Sequence, residues 1–208
     1  MSDFQYRQDG FCVNPKSKSE ICKYADVIRQ LFFPVEHRVL DVVRLVEHEM
    51  PRAYENFRYE IVPDGELPDR EAEFSPTEFC IRMRESIYMG ACNHNGHCRF
   101  TLAHELGHFF MHRDQQLAFG RSAADGFVPY HRNSEWQADT FARALLAPVR
   151  LAKGMTADCI ELMFEVSRSV AQIVHEEVVK VFGEDIRGLP TSQSTPEGFL
   201  PGIDWGAT

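Results

Sequence analysis

The chain of 208 residues is 44% apolar and carries a formal net charge of −9. That is enough material for one well-cored domain, and too acidic for clustered Lys and Arg to make a nucleic-acid backbone its main partner. Its apolar runs are only a few residues long, and Met1-Ser-Asp-Phe-Gln-Tyr-Arg7 lacks the basic region and apolar core of an export signal, so no membrane span is expected and a cytoplasmic location is the default.

Six cysteines (Cys12, Cys22, Cys80, Cys92, Cys98 and Cys159) in such a chain read as reduced thiols. Residues 1–18 mix polar residues with Gly10 and Pro15 and show no clear period; they are expected to form an arm that packs only in places. Ser19 is expected to cap a helix through Phe33, in which Ile21, Tyr24, Ala25, Ile28, Leu31 and Phe32 recur at three- and four-residue spacing before Pro34. A second helix is expected from Val35 to Met50, burying Leu40, Val43 and Val46, with Pro51 stopping it and His37 and Glu47-His48-Glu49 facing water.

The period then changes. Phe57, Tyr59 and Ile61 alternate with Arg58 and Glu60, which predicts a half-buried strand turned by Pro63-Asp-Gly65. Phe79, Ile81 and Met83 alternate with Cys80, Arg82 and Arg84 in the same way, and Ile87-Tyr-Met-Gly90 reads as a third short strand. The acidic, proline-bearing stretch Glu66 to Pro76 reads as a loop. Thr101 to His112 reads as a helix with Leu102, Phe109 and Phe110 on a buried flank, and Asn93 or Asn95 as its cap. Arg113 to Arg132 is expected to be a polar loop or lid. Helices follow from Ser134 to Leu146, ended by Pro148, from Ala157 to Glu165, and from a Ser167 cap to Gly183. The body of the fold is therefore expected over residues 19–187, with an extended Pro- and Gly-bearing tail over 188–208. The fold class is α+β: a small sheet of about three strands, one central helix and several helices around it.

The chemistry concentrates in that central helix. His104-Glu105-Leu-Gly-His108 places two imidazoles one turn apart on one face, able to grip a zinc ion, with Glu105 beside them to polarise its water. A catalytic zinc needs a third protein ligand. His112 lies about 6 Å further along the helix axis than His108, too far for a straight helix to bring all three rings to one ion. The longer motif with a third histidine six positions after the second would need one at Asp114. The better candidate is Glu135 in Ser134-Glu-Trp-Gln-Ala-Asp139, completing a His2Glu site, with Asp139 one turn later to accept the free ring N–H of a ligating histidine. Cys92-Asn-His94-Asn-Gly-His97-Cys98 offers ligand types at a cramped spacing that matches no structural zinc pattern, and is expected to be a connection.

Arg99-Phe-Thr-Leu-Ala-His-Glu-Leu-Gly-His108, Glu135-x-x-Ala-Asp-x-Phe-Ala142 and Leu145-Leu-Ala-Pro148 together resemble the ImmA/IrrE family of zinc metallo-endopeptidases, most strongly over about residues 78–150. The resemblance implies a zincin-like domain with His104, His108 and Glu135 as zinc ligands, Glu105 as general base and Asp139 as outer support. Members of that family often carry a helix-turn-helix domain in front of the peptidase or act on a separately encoded repressor of that kind. Here only a short arm precedes the first helix, so the implied partner is another chain, a repressor or antitoxin-like regulator, with no direct nucleic acid contact. Tyr130 and His131, just before the Glu135 helix, are the candidates to steady an oxyanion. Substrate is expected to lie extended along the sheet edge near Ile87. The competing expectation is a zinc-stabilised regulatory or toxin module that binds a partner with little or no peptidase activity.

Overall fold

Helix α1 (Lys18–Phe32) opens on a capping box, in which the Ser17 hydroxyl accepts from the Glu20 N–H at 3.3 Å and the Glu20 carboxylate accepts from the Ser17 N–H at 2.7 Å. The cap is therefore Ser17 rather than Ser19. Ile21, Ala25 and Ile28 form the buried stripe, whereas Tyr24 and Leu31 are 37% and 66% exposed. At about 100° per residue those two stand on the flank of the stripe. The computed structural model describes residues 10–35, 37–113 and 128–183. Residues 1–9 of the expected arm, most of the expected lid and the tail from Gly188 lie outside them.

Helix α2 is composite, made of Val42–Arg44, a π-helical turn over Leu45–Glu49, and Met50–Ala53. It starts later than expected because Asp41 caps it, its carboxylate accepting from the Arg44 N–H at 2.9 Å. It also runs through Pro51 instead of stopping there. With the Met50 N–H bonded to the Leu45 carbonyl, the turn is widened ahead of Pro51, whose ring and missing N–H would break a regular one.

Strands β1 (Arg58–Val62), β2 (Ala72–Ser75) and β3 (Cys80–Arg84) form a sheet in the order β1-β3-β2. β1 runs parallel to β3, with Arg58 opposite Cys80, and β2 runs antiparallel to it, with Ala72 opposite Met83. β2 lies inside the stretch expected to be a loop. The segment around Ile87, expected to be a strand, is instead helix α3 (Glu85–Cys92). Ile81 and Met83 are fully buried on the inner face, while Arg82 on the other face reaches Glu60 and Glu73 at 3.3 Å each and ties both neighbours to β3.

Helix α4 (Gly96–His112) is capped by Asn95, whose side-chain oxygen accepts from His97 and Cys98 N–H groups at 3.0 and 3.1 Å. Helices α5 (Ser134–Leu146), α6 (Ala157–Phe164) and α7 (Arg168–Phe182, capped by Ser167) follow the expected bounds closely. α4 is the axis of the molecule. Phe109, fully buried, meets the rings of Tyr54, Phe57 and Phe74 edge-on at 5.0, 5.3 and 5.4 Å, which docks α2 and the sheet onto it. The buried Arg99 guanidinium donates to the Leu40 and Glu165 carbonyls, both at 3.0 Å, and so anchors the start of α4 to α2 and α6. The arm packs more regularly than its sequence suggests. Ser134 N–H donates to the Phe11 carbonyl at 3.0 Å, Val13 N–H to Arg132 at 2.8 Å and Lys16 N–H to His131 at 2.9 Å, so residues 11–16 run alongside the entry to α5. All six cysteines are free thiols, and among the described residues no helix is long and apolar enough to cross a membrane.

Candidate metal centre

The helical repeat of α4 stacks His104 and His108 on one face, bringing their Nε2 atoms to 3.0 Å. α5 packs against α4 more closely than against any other element, and Gly107, between the two histidines, is where they touch. A Cβ at that position would lie 3.0 Å from Ala138 Cα and 3.1 Å from its carbonyl oxygen. The missing side chain lets α5 come near enough for Glu135 to place Oε2 at 3.2 Å from His104 Nε2 and Oε1 at 3.4 Å from His108 Nε2. A tetrahedral ion bonded at about 2.0–2.1 Å holds its donors about 3.3–3.4 Å apart, so this half-buried triangle has the size and the His2Glu chemistry of a metal site. His104, His108 and Glu135 are, among the described residues, the group of possible ligands that converges in this way.

Each histidine is held from behind. Asp139, one turn after Glu135, has Oδ1 2.9 Å from His104 Nδ1. His108 Nδ1 lies 3.1 Å from His112 Nδ1, and His112 Nε2 lies 3.1 Å from the side-chain oxygen of Gln137. His112 therefore stands outside the triangle, as its spacing predicts. It is buried directly behind a candidate ligand. Gln137 carried no sequence signal at all, because its contacts are to residues distant in the chain. The arm reaches the site as well. Gly10, at φ +99, sits where a Cβ would be 2.9 Å from Glu135 Cγ, an approach open only to glycine.

The electrostatics follow from these contacts. Burial works against charge on His104, but hydrogen bonds to Asp139 and Glu135 outweigh it and push its pKa up to about 10. Burial likewise opposes ionisation of Glu135, yet the bonds from His104 and His108 hold its carboxyl well below the usual carboxylate range. Burial, then the neighbouring His108, pull His112 down to about 4. Glu105 is buried, and burial pushes its carboxyl up; His108, His104 and the Phe74 backbone of β2 pull the other way.

Other sequence candidates fall outside this cluster. Tyr130 and His131 sit on a single 3-10 turn before α5, with the Tyr130 ring packed edge-on against Trp136 at 4.9 Å. His131 is not among the converging groups, and its main-chain carbonyl is taken by Lys16 and Gln137. The Cys92–Cys98 segment is a connection, with His94 on Glu165 at 2.7 Å and His97 on Glu71 at 2.8 Å.

Residues 64–171, more than half of the chain, match the Peptidase_M78 family, described as the IrrE N-terminal-like domain. A solved structure titled Mycobacterium tuberculosis transcriptional regulator is similar at 16% identity and a TM-score of 0.48, over 74% of this chain and 45% of that one, so the chain spans less than half of its length. No curated protein matches the chain. The matched span begins just after β1 and takes in β2, β3, both helices of the triangle and the start of α7; the chain belongs to the Peptidase_M78 family and carries its metallopeptidase-like, IrrE N-terminal-like domain.

Proposed function

We propose that this protein is a zinc endopeptidase that cleaves one specific protein substrate. The observation that carries the reading is the convergence of two imidazole Nε2 atoms and one carboxylate at tetrahedral spacing, with a buried Glu105 next to them in sequence. His104, His108 and Glu135 would hold the ion, with Asp139 supporting His104. Bound there, zinc supplies Lewis acidity, polarising the scissile carbonyl and lowering the pKa of water to about 7. Glu105 accepts the proton of the attacking water and returns it to the leaving amine as the C–N bond breaks. Its burial suits this work, because burial raises the carboxylate's affinity for the proton it must take from water. Tyr130 and His131 remain the proposed oxyanion donors; Tyr130→Phe and His131→Ala should each lower kcat, and an unchanged kcat removes that residue from the role.

The edge at which substrate would lie moves from Ile87, now helical, to β2. β2 has β3 on one side, and its Phe74 backbone lies close enough to Glu105 to help pull the carboxyl down. An extended peptide added along the outer side of β2 would pass the general base. The resemblance at the motifs favours a repressor or antitoxin-like regulator, encoded separately and met in the cytoplasm, as substrate. The test is Glu105→Gln. It should abolish cleavage of the regulator while the protein still binds one equivalent of zinc; full biological activity in that variant would instead make the protein a binding module.

A further inference from the structure

Behind His108 lies a chain of hydrogen bonds whose direction is forced. The side chain of Gln137 is fully buried, with Nε2 2.9 Å from the Asn14 carbonyl and 2.8 Å from the His131 carbonyl. Carbonyl oxygens only accept, so the amide end between them is the NH2 and the opposite end, Oε1, is an acceptor. Oε1 faces His112 Nε2 at 3.1 Å, which must therefore carry its hydrogen. A neutral His112 then offers a bare Nδ1 at 3.1 Å to His108 Nδ1, and that atom must donate. The His108 Nε2 lone pair is left facing the point where His104 and Glu135 converge. Asp139 does the same for His104 in one step. An uncharged route serves His108 without adding another carboxylate to a site that already holds Glu105, Glu135 and Asp139.

We propose that Gln137 and His112 are positioning residues of the metal centre, a neutral relay from the main-chain carbonyls of Asn14 and His131 that holds His108 in its Nδ1–H form. The inference rests on the zinc reading above. It also gives the amino-terminal arm a part in metal binding, since Asn14 belongs to it.

Long-range 1H–15N NMR of the full chain loaded with Zn2+ reads each tautomer directly. The expected spectrum shows His112 neutral with its hydrogen on Nε2 and His108 with its hydrogen on Nδ1. A His112 found as imidazolium at neutral pH, or with its hydrogen on Nδ1, overturns the relay even if zinc is bound. A wild-type chain that takes up no zinc overturns the metal reading instead. In competition with a chromophoric chelator, Gln137→Leu should weaken Zn2+ binding by about 10- to 100-fold, the usual loss when an outer partner of a metal ligand is removed. His112→Asn, whose side-chain oxygen can accept from His108, should recover part of the affinity lost in His112→Phe. Wild-type zinc affinity in a folded Gln137→Leu protein overturns the relay; should that variant not fold, the wild-type tautomers decide the matter alone.

Discussion

At the scale of single residues, Glu135 and His104 set what the site can hold. Among the described residues, Glu135 is the one carboxylate within 3.4 Å of both Nε2 atoms, and two histidines alone would leave an ion half-coordinated. Glu135→Ala should therefore weaken zinc binding more than any loss of an outer partner does, by more than about 100-fold. Chelator competition measures this, and an affinity within tenfold of wild type would remove Glu135 from the ligand set. If zinc binds as proposed, His104 should make its uptake pH-dependent. Its pKa in the metal-free protein is raised to about 10, so at neutral pH the ring carries a proton that the ion must displace. The sign follows: apparent zinc affinity rises between pH 7 and pH 9, by at least about tenfold per unit. Calorimetric titrations at pH 6, below the ionisation of a zinc-bound water, in buffers of different ionisation enthalpy should report release of about one proton per ion from His104. An affinity that stays flat between pH 7 and pH 9 would contradict the pairing of His104 with Asp139 and Glu135.

At the scale of elements, the site depends on how closely α5 lies on α4, and Gly107 tests that contact. The Cβ of Gly107→Ala would meet backbone, Ala138 Cα at 3.0 Å and its carbonyl at 3.1 Å, so neither neighbour can swing away and the helices must part. Overpacking of this kind costs about 1–3 kcal/mol. Urea unfolding should show that loss, accompanied by weaker zinc binding as Glu135 withdraws from the histidines; unchanged values for both would mean that the two helices have slack. Much of this pairing was legible in the sequence. His104, Glu105 and His108 sit at fixed helical spacing, and α5 is bracketed by Asn133 before it and Pro148 after it. The sheet was legible only in part. Ala72-Glu-Phe-Ser75 offers two alternations amid Asp69, Arg70 and Glu71, and it becomes a strand because β3 pairs with it. Ile87-Tyr-Met-Gly90 is an apolar run too short to show a period. It is helical, and Asp64 accepts from the Ser86 N–H in its first turn at 3.1 Å. Gln137, the partner of His112, and Asn14, which holds Gln137, were hidden because they reach the site only through the tertiary fold.

At the scale of the whole molecule, the question is whether an ion bound at the triangle would hold the fold or only work within it. One continuous core joins Ile21 of α1, Leu45 of α2, Ile81 of β3, Leu106 of α4, Phe141 of α5, Ile160 of α6 and Val174 of α7. A core of that reach does not need a metal to form, unlike the small domains that are unfolded without zinc. Chelation should therefore lower the melting temperature and leave the far-UV circular dichroism at 25 °C unchanged. Free zinc at 100 times its Kd adds about 2.7 kcal/mol to the stability of a protein that binds it only when folded. For a chain of this size 1 kcal/mol moves Tm by about 2–4 °C, so EDTA should lower Tm by about 5–10 °C from that condition. Glu105→Gln should keep the zinc-dependent shift, because Glu105 stands outside the triangle, whereas Glu135→Ala should lose most of it. Unfolding at 25 °C on chelation would make the ion a structural clamp with closed coordination, and a centre of that kind has no open position at which to turn water against a peptide bond.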